Sequence, residues 1–269
     1  VVLAHGYALS DAFYILFLFL ALFSLAAHVQ SFTWPSLLIS AAASGLGVWI
    51  RFAGLGVIAW SGLVLLGLAL ARRNAKAWLA VPVYSMVSGA LVLLHAGINW
   101  SAKGAPSDFE LTLNSIPALQ REQLVTTLTE LLLPYRLAAH LPGGLWTGAL
   151  ISVVGLSVVV WLASRRRHVN LWIFSGFALW YMVFIFCCIL FTDQMIPLDH
   201  RILLPLMSVF VFSSMLSLCL LAADRQQQLV RWAALLLCAY ILLFQVQRGV
   251  RLLARTWTQG MPGFTAAIW

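Results

Sequence analysis

The 269-residue chain is 62% hydrophobic and only 9% charged, with a formal net charge of +8 and a mean hydropathy of +0.96. Soluble domains carry about 25% charged residues, so a water-soluble fold is ruled out and an all-α, polytopic transmembrane helical bundle is expected. The basic residues form short clusters beside apolar runs and no broad basic face, which fits the positive-inside rule and argues for no nucleic acid partner.

Apolar runs predict eight spans within one transmembrane domain, 1–269, at 12–29, 36–50, 53–71, 77–99, 143–163, 169–191, 202–223 and 230–247. Asp11 follows Ser10 at the mouth of the first run. It is expected to cap that helix, a role compatible with lining an outer cavity. The second run is short for a span of roughly twenty residues. Arg51 divides it from the third in WIRFAGLG, whose glycines suit a broken or tightly turned helix pair. Arg51 reads either as an arginine snorkelling to the interface or as a planar guanidinium facing a phosphate.

Arg72, Arg73 and Lys76 form one basic cluster, and Arg165, Arg166, Arg167 and His168 another. With both in the cytoplasm, residues 11 and 51, the 100–142 segment and the 192–201 loop all fall outside. Arg248, Arg251 and Arg255 would also be outside, at the start of an outer-face tail, 248–269. Long translocated domains tolerate such charges.

The 100–142 segment predicts an interfacial helix, with Ser115 as cap, Pro117 in the first turn and Glu122 further along it. Leu124, Val125, Leu128, Leu131 and Leu132 fall on one face, with Gln123, Thr126, Thr127, Thr129 and Glu130 opposite. That amphipathic pattern suits a packed surface helix or a lid beside a lipid-substrate groove.

FTDQMIPLDHRILLP, residues 191–205, sets Asp193, Asp199, His200 and Arg201 at a membrane boundary, where unpaired charge is costly. Asp199 can cap the next helix and hold Arg201, with Pro205 in its first turn. Alternatively, Arg201 and the helix N-terminus grip a phosphate or pyrophosphate. Asp193, Asp199 and His200 also leave a divalent metal open as a cofactor. Cys187, Cys188, Cys219 and Cys238 lie in apolar runs and read as packed thiols. His5, His28, His95 and His140 share no ligand spacing and read as structural. The sequence contains no nucleotide fingerprint, Gly-rich phosphate loop, GxSxG elbow or CxxC pair. The opening VVLAHGYALSD lacks Met and a basic n-region, and GMPGFTAAIW ends without a closing element, so the chain reads as a fragment cut at both ends.

Three stretches carry a family likeness, YALSDAFYILFLFLALFSL, SGLGVWIRFAGLGVI and IPLDHRILLPL, and the closing GMPGFTAAIW is also similar to a segment of some members. Their order resembles the membrane core of GT-C-type glycosyltransferases, in particular bacterial membrane proteins similar to dolichyl-phosphate-mannose-protein mannosyltransferases. Phe52 stands where the family's second motif usually has Tyr. The resemblance implies a GT-C-like fold in a bacterial inner (plasma) membrane with the active face outside. It implies sugar transfer, with inversion, from a polyprenyl-phosphate-linked sugar donor, whose lipid tail lies between spans. Asp11, Arg51, Asp199 and Arg201 match polar motif positions, and His200 lies among them. By the same likeness, the catalytic carboxylate and two or more spans precede Val1. Two other classes stay open: a transporter or flippase of an anionic lipid-linked substrate, and a non-catalytic subunit of envelope assembly. Transporters more often show paired broken helices, and the sequence shows one such break.

Overall fold

Helices that are apolar on every side cannot hide that surface in water; they pack one stripe on their neighbours and turn the rest to lipid. The computed structural model describes residues 2–103, 118–130, 132–133, 135–164, 168–191, 202–222, 228, 232–233, 235–237 and 239–243, and among them every regular element is helical. In chain order these are α1 (Val2–Ser31), α2 (Trp34–Ile50), α3 (Gly54–Arg72), α4 (Ala75–Lys103), α5 (Ala118–Thr129), α6 (Tyr135–Ala139), α7 (Gly144–Ser164), α8 (Val169–Phe191) and α9 (Leu204–Ala222). Residues described between 232 and 243 are helical too. Four stretches are long and apolar enough to cross a membrane: Ser10–Ser31, Gly54–Arg72, Ala75–Ser101 and Val169–Phe191. Trp34–Ile50, Gly144–Gly155 and Leu204–Leu220 are shorter. The chain is an integral membrane protein, all α.

Burial follows helical spacing. On α1, Tyr14, Leu18, Leu22 and Leu25 are buried, whereas Phe13, Leu16 and Leu20 are exposed. On α8, Phe174, Phe177, Tyr181 and Ile185 face inward, and Leu179 and Val183 face out. Four rings seal the α1, α8 and α9 junction: Phe23 and Phe174 lie 4.8 Å apart, Phe174 and Phe212 4.7 Å apart, and Phe19 lies 5.4 Å from Phe212. Between α3 and α8 two indoles donate crosswise to main-chain carbonyls, Trp60 Nε1 to Ile173 O at 3.1 Å and Trp180 Nε1 to Gly56 O at 2.9 Å. Each satisfies its N–H inside the bundle, which a buried tryptophan requires.

These contacts fix the helix directions. Ser40 Oγ donates to Ala21 O at 2.9 Å, so α2 runs antiparallel to α1. Tyr84 Oη donates to Ser44 Oγ at 2.8 Å and Trp49 Nε1 to Leu91 O at 2.9 Å, so α4 runs parallel to α2. One end of the bundle therefore carries Arg72, Arg73 and Lys76. There Arg72 donates to Val29 O at 3.2 Å and lies 4.5 Å over the Phe32 ring. A carbonyl near the C-terminus of α1 is a favourable place for a cation. Phe32, held in the left-handed region at φ 54°, ends α1 there. Gln30 Nε2 donates to Asn170 Oδ1 at 3.0 Å, which brings the start of α8, and His168 just before it, to this same basic end.

Two sequence expectations change here. The helix of the 100–142 segment packs along α7, as a packed surface helix would, but its polar side is covered along with its apolar one. Val125, Thr127 and Thr129 are buried, and Leu124, Leu128 and Leu132 pack on the core. Thr129 Oγ1 lies 2.8 Å from both Val125 O and Leu145 O, and Ser152 Oγ donates to Thr129 O at 3.0 Å. Ser152 is about 12 Å along α7 from its start, at 1.5 Å per residue. Threonines that bond to main chain can be buried at little cost, so their polarity does not mark a solvated face. Ser115, Pro117 and Leu131 lie outside the described residues. The thiols differ as well: Cys187 and Cys219 sit on the outer surface of the bundle and only Cys188 is half-buried, while Cys238 is outside the described residues.

Candidate functional site

The end opposite the basic one is built around the break between α2 and α3. Arg51 is extended, at φ −149° and ψ 134°, and its N–H still donates to Gly47 O at 2.9 Å. Its carbonyl accepts from Gly54 N at 2.9 Å, and Leu55 and Gly56 close the first turn of α3 on Phe52 O and Ala53 O. The chain reverses within three residues, as the glycines suggest. Gly54 makes this reversal close: a Cβ there would lie 2.5 Å from Val48 N and 2.6 Å from Gly47 C. Only a residue without a side chain lets α3 start against the end of α2.

This turn sends Arg51 towards α1, where its Nη1 lies 3.0 Å from Asp11 Oδ1, with side-chain exposures of 15% and 16%. The structure thus brings together two residues separated by a full helical hairpin. Asp11 is not a helix cap, contrary to expectation. α1 begins at Val2, so Asp11 lies well inside the helix, and its partner is a guanidinium, not the helix's own first amides. A carboxylate and a guanidinium beside apolar spans attract strongly but are costly to desolvate, and a little remaining exposure lessens that cost.

Tyr14 lies one turn further along α1, on the same face as Asp11. It is fully buried. Its ring packs towards Gly47, 3.7 Å from where a Cβ would be. Its hydroxyl has no hydrogen-bond partner among the described residues. Tyr181 Oη donates to Ile202 O at 2.9 Å, fixing at this end the residue that directly follows Arg201. Neither tyrosine stood out in the sequence. The available signal was a phenol inside an apolar run, whose O–H needs a destination.

Asp193, Asp199, His200 and Arg201 all lie outside the described residues. Among those described, no three His, Cys, Asp or Glu side chains gather as a metal site. His28 Nδ1 is 2.9 Å from Thr33 O at the α1–α2 turn, and His95 Nε2 is 3.1 Å from Asn99 Nδ2 within α4, its ring 5.4 Å from that of Trp49 on α2. Among the described residues, the α2–α3 break offers a guanidinium held by a carboxylate, with the Tyr14 phenol one helical turn away. No family model matches the chain, and neither a curated protein nor a solved structure matches it.

Proposed function

We propose that this chain is part of a GT-C-like membrane glycosyltransferase, taking sugar from a polyprenyl-phosphate carrier, with the Asp11–Arg51 end at the outer face. The observation that carries this reading is the partly exposed ion pair at one end of an apolar bundle whose other end holds Arg72, Arg73 and Lys76. Basic residues favour the cytoplasm, which leaves Arg51 facing out. In the full topology α2, α7, α9 and the 230–247 segment join the four long helices as eight spans.

In the reaction, an acceptor oxygen attacks the sugar's anomeric carbon opposite the phosphate, and the carbon–oxygen bond to the carrier breaks. Charge then grows on the departing phosphate. Arg51, together with Arg201, donates to its oxygens, because a planar fork matches two of them at once. The acceptor's proton goes to a carboxylate acting as general base.

One observation favours a second reading. Arg51 already holds an anion, Asp11, so the pair could open and close around an anionic lipid as a transporter gate would. Both readings are tested with the full-length protein in liposomes and a panel of radiolabelled polyprenyl-phosphate sugars. Arg51→Lys keeps the charge but loses the fork, and transfer is expected to fall at least about tenfold, the loss of one charge-assisted hydrogen bond. Unchanged transfer in Arg51→Lys and in Arg51→Ala contradicts the assignment. Folded protein that moves labelled lipid between leaflets without transferring sugar supports the gate.

A further inference from the structure

A buried hydroxyl without a partner is uncommon, because leaving it unsatisfied disfavours the fold. Tyr14 is such a group among the described residues, and it is fully buried. The neighbouring phenols differ from it: Tyr84 bonds Ser44 Oγ at 2.8 Å and Tyr181 bonds Ile202 O at 2.9 Å. The exception sits one helical turn from Asp11, with its ring towards Gly47, the residue whose carbonyl accepts from Arg51 N at 2.9 Å. An oxyanion taking the place of the Asp11 carboxylate on Arg51 would arrive above the same face of α1.

We infer that the Tyr14 hydroxyl is a binding donor for the anionic group of the ligand at this end, a phosphate oxygen, acting beside Arg51. This rests on the proposed reading of the Asp11–Arg51 end as a phosphate site and adds a neutral donor to it. The phenol suits the position. It adds a hydrogen bond without a second buried charge, and its apolar ring fills the junction between α1 and α2. That the hydroxyl has no partner among the described residues is what a donor reserved for a ligand would show.

The test compares binding of farnesyl phosphate and farnesol to the purified full-length protein in detergent, for wild type, Tyr14→Phe and Arg51→Lys, with thermal midpoints measured in parallel. The expected result is that wild type prefers the phosphate. Tyr14→Phe should weaken the phosphate roughly ten- to hundredfold, the loss of one hydrogen bond to a charged group, and leave farnesol unchanged. Its ligand-free midpoint should stay the same or rise, since no internal hydrogen bond is removed. A wild type that does not distinguish phosphate from alcohol overturns the phosphate reading and this inference with it. Preference lost in Arg51→Lys but intact in Tyr14→Phe overturns the inference alone. A lower ligand-free midpoint in Tyr14→Phe also overturns it, because the hydroxyl would then have an internal partner.

Discussion

Gly54→Ala should destabilise the protein by about 3 kcal/mol or more, at the upper end of what overpacking costs. The added methyl would fall 2.5 Å from Val48 N and 2.9 Å from Val48 Cα. Both are main-chain atoms inside α2, so no rotamer change relieves the clash. Relief requires α3 to move away from α2, and the Arg51–Gly54 turn that aims the guanidinium at Asp11 moves with it. Gly62→Ala, also in α3, is the matched control. Nothing lies within 4 Å of a Cβ there, and alanine favours a helix over glycine by about 1 kcal/mol. Thermal midpoints in detergent should fall clearly for Gly54→Ala and hold or rise for Gly62→Ala. Equal midpoints would mean that the close approach of α2 and α3 is not needed.

Arg51→Ala should be about as damaging, by a different route. Removing one member of a buried ion pair typically costs about 3–5 kcal/mol, and the loss here belongs at the lower end because the two side chains keep 15% and 16% exposure. Asp11, 16% exposed, then loses its guanidinium and cannot recover full hydration without α1 shifting. The double variant Asp11→Asn with Arg51→Met should be much less destabilised than Arg51→Ala, since replacing both charges removes the desolvation cost as well as the attraction. A double-mutant cycle read from denaturant or thermal unfolding checks this. If Arg51→Ala and the double variant lose equal stability, the pair contributes through packing alone.

The helices were legible in the sequence because a membrane span needs little more than length and apolarity. The run at 169–191 coincides with α8, and 53–71 with α3 to within a residue. Arg51 could be placed at a break because a charge between two apolar runs, followed by glycines, has few other solutions. Asp11 could be brought to the same end by counting spans, yet not paired, since pairing depends on the Gly47–Gly54 contact and the direction it gives the Arg51 side chain. The start of α1 was misjudged for a local reason. Ser10 and Asp11 look like a cap, but residues 2–9 have no helix breaker beyond Gly6 and simply continue the helix upstream. The solvated face of α5 was misjudged because pattern reading assigns threonine to water, whereas Thr129 is satisfied by main-chain carbonyls inside the bundle. Tyr14 and Tyr181 were invisible for the converse reason: a tyrosine in an apolar run reads as packing until its hydroxyl's partner, or lack of one, is known.

The Asp11–Arg51 pair could hold the bundle together without ever meeting a ligand, and exchanging its charges separates the two roles. Asp11→Arg with Arg51→Asp in the full-length protein keeps one cation facing one anion and should recover most of the thermal stability lost in Arg51→Ala. With the guanidinium moved from the α2–α3 turn to α1, transfer of sugar from the polyprenyl-phosphate donor should stay at background. Transfer restored along with stability would show the pair to be a structural clamp and would contradict the assignment of Arg51 to the substrate's phosphate.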